Sequence, residues 1–140
     1  MTANALTEEQ IQAWAREQFQ RANKFLAERG IVYDSVFAED CRYLVPFVAV
    51  WKIKALDKQV YWVITGDVPL DVTYFDSADN AREAMKYFSM HWQLKAENLE
   101  VNNTANDSSQ TEYIELLRTK AEQLYALQDN DAMWGTGSAN

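Results

Sequence analysis

Ile11, Trp14, Ala15, Ala22, Phe25 and Leu26 recur at helical spacing, with charged and amide side chains between them. Thr7 before this run and Gln10 three residues later form a capping-box pattern, and Gly30 stands where a left-handed C-terminal cap belongs. The pattern predicts a helix from about Glu8 to Arg29. Residues 31–43 show no clear period and read as a connector. From Tyr43 to Leu56 the chain turns to β-branched and aromatic types (Phe47, Val48, Val50, Trp51, Ile53), with Lys52 and Lys54 alternating outward. Pro46 belongs at the strand start or on an edge, since it donates nothing to a ladder. Asp57 and Lys58 mark a turn, Val60 to Gly66 returns as a second strand, and Val72 to Phe75 follows as a short third.

Asp76 or Ser77 is the expected cap of a second helix, whose stripe of Ala81, Met85, Phe88, Trp92, Ala96 and Leu99 keeps to one face at about 100° per residue. Residues 100–107 are loop-like in composition. Ser109 with Glu112 then repeats the capping-box pattern, predicting a third helix from about Gln110 to Leu127 that buries Tyr113, Leu116 or Leu117, Leu124 and Leu127. From Gln128 onward the period disappears, and a mobile tail is expected. The sum is an α+β fold: an N-terminal helix, an antiparallel hairpin or three-stranded sheet, and two C-terminal helices packed on the sheet. One domain is expected over residues 1–127, with a tail over 128–140.

A chain of 140 residues with 48% apolar side chains is large enough to bury a core without staples. Its single cysteine, Cys41, excludes an intrachain disulfide, and the first ten residues lack a secretory pattern, so a cytoplasmic protein is expected. Nothing approaches the roughly 20 apolar residues of a membrane span. A net charge of −8 opposes binding to nucleic acid and to anionic bilayers. It favours solubility, or an acidic face for a basic protein.

Candidate chemistry concentrates between Val60 and Leu99. Asp67 and Asp71 flank Pro69 in a loop, where two carboxylates either serve a cation or an acid–base pair or, more commonly, satisfy turn N–H groups. Arg82 falls in the first turn of the second helix, where the helix dipole disfavours a cation, so a pair with Asp67 or Asp71 is expected; an anion site is the alternative. Gln93 lies on the same side of that helix. His91 is the only histidine, and with Cys41 as the only thiol the ligands of a zinc site are missing. Cys41 as a nucleophile would need His91 as its base, and an inert thiol is the plainer reading. Trp14, Trp51, Trp62 and Trp92 read as core, whereas Trp134 falls in the tail. No catalytic residue, metal or cofactor is therefore assigned.

The run Trp62-Val63-Ile64-Thr65-Gly66-Asp67-Val68-Pro69-Leu70-Asp71, followed by Ala81-Arg82-Glu83-Ala84-Met85 and by Phe88 through Ala96, resembles a family of small uncharacterised bacterial proteins, a domain of unknown function. Asp79-Asn80-Ala81 precedes Arg82 where a proline is common in that pattern. The resemblance implies where a site lies and no chemistry for it. Two function classes stand: a protein-binding module (an adaptor, a chaperone-like factor or an antagonist of a basic partner), working as a homodimer that covers the edges of a small sheet, and a small-ligand protein or minor enzyme using Asp67, Asp71, Arg82, His91 and Gln93. Convergence of those five in one concavity would favour the second.

Overall fold

The computed structural model describes residues 6–103 and 107–134. They fall into two compact units, Met1–Phe75 and Asp76–Asn140.

The first unit opens with α1 (Glu8–Ala27), capped as expected: the Gln10 N–H donates to Thr7 Oγ1, and the Thr7 N–H donates to Gln10 Oε1. Gly30, at φ +78°, turns the chain out of the helix in a conformation that disfavours a Cβ. A five-stranded antiparallel sheet follows: β1 (Tyr33–Val36), β2 (Arg42–Leu44), β3 (Val48–Ala55), β4 (Val60–Gly66) and β5 (Asp71–Tyr74). The strand order is β1-β3-β4-β5, and β2 also pairs with β3.

The β3–β4 hairpin runs from Val48 opposite Gly66 to Lys54 opposite Val60. Its first half is buried on both faces, and a strand so placed reads as the unbroken run Val48-Ala49-Val50-Trp51 rather than as an alternation. One face (Ala49, Trp51, Ile53, Ala55, Tyr61, Val63) packs with Ala22, Phe25 and Leu26 of α1. The other carries Val48, Val50, Trp62 and Ile64, equally buried.

The connector expected over residues 31–43 is instead two short strands around a 3-10 turn at Ala38–Asp40. Together they form one broken edge of the sheet. Exposed on both sides through most of its length, β1 shows no alternation for a sequence pattern to register.

In the second unit α2 (Ala81–Asn102) and α3 (Ser108–Asp129) run antiparallel, since Arg82 bonds Gln128 near one end and Arg118 bonds Glu100 near the other. The caps differ from those expected. Asn80, not Asp76 or Ser77, accepts from the Glu83 N–H, and Asp107, not Ser109, accepts from the N–H groups of Ser109 and Gln110. α2 also continues through residues 100–102, read as loop. On α3 the buried stripe is Ile114, Leu117, Ala121, Leu124 and Gln128, leaving Tyr113 and Leu116 exposed. A stripe ending in glutamine hides its last position from a hydrophobicity pattern.

The expected tail is a correction as well. α3 runs on to Asp129, a 3-10 turn spans Asp131–Met133, and Trp134 is 4% exposed, its indole N–H donating to the Leu127 carbonyl. Residues 135–140 lie outside the described residues.

Candidate functional site

Each of the residues singled out from sequence has a definite position. Asp67 is exposed just past β4, its N–H donating to the Phe47 carbonyl at 2.8 Å. Asp71 opens β5 opposite Ile64, and its Oδ1 accepts from the neighbouring Val72 N–H at 2.8 Å, the local backbone role common for loop aspartates. Gly66, which leads into this loop, has φ +123°, and a Cβ there would come within 2.7 Å of Val48 Cα and run into the Phe47 carbonyl.

Arg82 was expected to pair with Asp67 or Asp71. Its partners are at the end of α3: Nε donates to the Gln128 carbonyl at 2.6 Å, Nη2 donates to Asp131 Oδ1 at 2.6 Å, and the guanidinium lies 5.6 Å from the Trp134 ring. A cation that is badly placed at the start of its own helix is well placed at the carbonyl end of an antiparallel neighbour. His91 is exposed, with its ring parallel to that of Tyr87 at 5.8 Å. Gln93 lines a shallow groove of about 430 Å³ with Lys86, Ser89, Met90 and Tyr125. Arg82 and Gln93 are roughly 16 Å apart along α2 at about 1.5 Å per residue, so helix geometry keeps these two from one site. Among the described residues no group of three or more His, Cys, Asp and Glu side chains is placed to hold a metal ion.

A second concavity lies in the first unit. Where the sheet edge breaks between Val36, which pairs with Ile53, and Arg42, which pairs with Val50, the β3 residues Trp51 and Lys52 keep their β4 partners but face no strand residue on the β1–β2 side. The gap opens a cleft of about 230 Å³ lined by Ala15, Arg16 and Phe19 of α1, Val36, Ala38, Tyr43 and Trp51. Three rings form its wall, Trp51 being centred 5.1 Å from Phe19 and 5.1 Å from Tyr43, both at tilted angles; outside the cleft, Tyr33 meets Phe19 edge-on at 5.4 Å. Trp51 is fixed from behind, its indole N–H donating to Thr65 Oγ1 at 3.1 Å within the core. The two alanines supply the space.

The same break explains Cys41. With no strand opposite, the Lys52 N–H donates to Cys41 Sγ at 3.3 Å, while the Lys52 carbonyl accepts from the Phe37 N–H at 2.9 Å. The thiol in turn donates to the Phe37 carbonyl at 3.4 Å. Burial pushes its pKa up, against the opposing pull of the Lys52 N–H. A sulfur held protonated and occupied in this way closes a backbone gap rather than attacking a substrate.

Sequence reasoning missed this cleft. Its one available signal was the aromatic density of Tyr33, Phe37 and Tyr43 in a stretch without period, all three of which are exposed.

The fold and the broken edge define an α+β protein with a five-stranded antiparallel sheet and an aromatic cleft beneath its N-terminal helix. Residues 8–134 match the family described as Domain of unknown function (DUF4826), and the chain belongs to that family. No curated protein and no solved structure matches it.

Proposed function

We propose that this protein is a protein-binding module, an adaptor or antagonist, whose cleft beside Trp51 takes one side chain of its partner. The carrying observation is the cleft itself. Apart from Arg16 its walls are aromatic and aliphatic, its central ring, Trp51, is held by a hydrogen bond within the core, and a volume of about 230 Å³ lies below the roughly 300–1,000 Å³ of small-molecule sites. Interfaces concentrate their energy in such pockets, each filled by one anchoring side chain. The engagement of Arg82 with the end of α3 and of Asp71 with its own backbone lends the small-ligand or enzymatic reading less support.

The same proposal keeps the protein in the cytoplasm, where an unpaired Cys41 is at home, and makes it a homodimer, since β5 ends the sheet with an edge a second copy can cover. No helix among the described residues is long and apolar enough to cross a membrane.

Selecting peptides from a displayed random library on the whole chain tests the binding role. Enriched peptides should lose binding to an Ala38→Trp variant, whose indole fills the cleft, while the variant keeps the far-UV circular dichroism of the parent. Failure to enrich any peptide, or equal binding by the filled variant, removes the proposal.

A further inference from the structure

Arg16 stands out among the arginines. Arg21 donates to Gln18 and to the Gly66 carbonyl, Arg29 donates to the Phe25 carbonyl and lies over its ring, Arg82 and Arg118 are ion-paired, and Arg42 also has a partner. Arg16 has no hydrogen bond, ion pair or ring contact among the described residues. Nor does its helix offer an acid: the positions three and four residues away are Gln12, Ala13, Phe19 and Gln20. Arg16, exposed as a residue, nevertheless lines the aromatic cleft. Tyr43, across the same cleft, has a hydroxyl that likewise bonds nothing among the described residues.

A planar fork of N–H donors beside an apolar box is the arrangement that recognises a carboxylate attached to an apolar group. A cationic occupant is disfavoured, because the guanidinium would repel it although the rings alone would welcome it. The rest of the protein narrows the source of that carboxylate. At a net charge of −8 the chain repels acidic segments, so an Asp- or Glu-rich partner is a poor fit. One carboxylate is present on every polypeptide whatever its composition, including a basic one, and it shares a Cα with a side chain.

Building on the protein-binding reading, we infer that the cleft beside Trp51 captures the C-terminal residue of a partner polypeptide, with Arg16 and Tyr43 donating to its terminal carboxylate and an apolar or aromatic side chain filling the box. The partner surface behind that terminus is neutral to basic.

The test uses the whole chain and short synthetic peptides that end in Phe, Leu or Trp after neutral or basic residues, each made as the free acid and as the C-terminal amide. Fluorescence polarisation should show the free acids bound at least about tenfold more tightly than the amides. The Arg16→Gln variant, altered only at an exposed side chain, should abolish that preference for the free acid, and Ala38→Trp should remove binding of both forms. If Ala38→Trp unfolds the chain, Ala15→Leu serves as the filled variant. Peptides that bind through an internal apolar residue, indifferent to amidation but blocked by the filled cleft, would overturn this inference and leave the protein-binding reading standing. Binding unaffected by the filled cleft would overturn both. Equal affinity for a free aromatic carboxylic acid such as phenylpropionate, or preferential binding of tetramethylammonium, would also overturn the C-terminal assignment, and either would turn the site toward small ligands.

Discussion

Arg82 binds the end of α3 through two acceptors of unequal worth. Asp131 is almost wholly exposed, with its carboxylate in water, and such pairs contribute only about 0–1 kcal/mol. The Gln128 carbonyl belongs to the last turn of α3, where it lacks a partner from its own helix, and a charged donor to such a group contributes about 1.5–3 kcal/mol. Arg82→Ala is therefore expected to lower unfolding free energy in urea by about 1.5–3 kcal/mol, and Asp131→Ala by no more than about 1 kcal/mol. Equal losses would mean that the ion pair matters more than the carbonyl. A second residue-scale expectation concerns Tyr61, whose hydroxyl donates to Asp57 Oδ2 at 2.8 Å. Burial first, and then this bond to a carboxylate, push its pKa from 10.0 up to about 12. The unfolded chain thus releases the phenol proton near pH 10 and the folded chain does not, so this contribution to stability is complete below pH 10 and lost as pH rises toward about 12. Absorbance titration at 295 nm should show a late tyrosinate step in the parent that is missing from Tyr61→Phe.

The elements legible in the sequence are those whose burial repeats. The six apolar positions of α1, the stripe of α2 and the hairpin of β3 and β4 bury the same kind of side chain at a fixed period, and hydrophobicity alone finds them. β1 and β2 were not legible because an edge strand buries too little to impose alternation, and their path is set by pairing with β3 across the chain. The cleft was hidden for the same reason: Phe19, Ala38, Tyr43 and Trp51 come from four different elements, and what unites them is a break in an edge. Gly66, by contrast, was visible as the end of a strand, while its cause was not. A side chain at that position meets the Phe47–Val48 backbone, which has no rotamer to change. Gly66→Ala should therefore cost at least about 1–3 kcal/mol, as overpacking does, with an added penalty for the positive φ. A melting temperature equal to that of the parent would show that the β3–β4 end is looser than this geometry requires.

On the scale of the molecule, the acidic balance and the single thiol belong to the composition, and any reader of the sequence obtains them. The identity of the groups that meet does not follow from composition. Arg82 was expected to find an aspartate ahead of it in the chain and instead met the backbone of a helix far behind it, because an antiparallel helix pair brings opposite chain ends together. The boundary at Leu127 failed for a related reason: past it the apolar period stops, yet Gln128, Asp131 and Trp134 all contact the start of α2 or the end of α3. That clasp makes the turn at Asp131–Met133 a point of vulnerability. A peptidase trimming inward from the C-terminus would meet a buried indole at Trp134, and once past it would strip Arg82 of its ion-pair partner. A chain ended at Leu127 would also lack the carbonyl that Arg82 binds. It should melt at a distinctly lower temperature than one ended at Trp134 and be cleared faster in a protease chase, so that loss of a few terminal residues sets the lifetime of the α2–α3 unit.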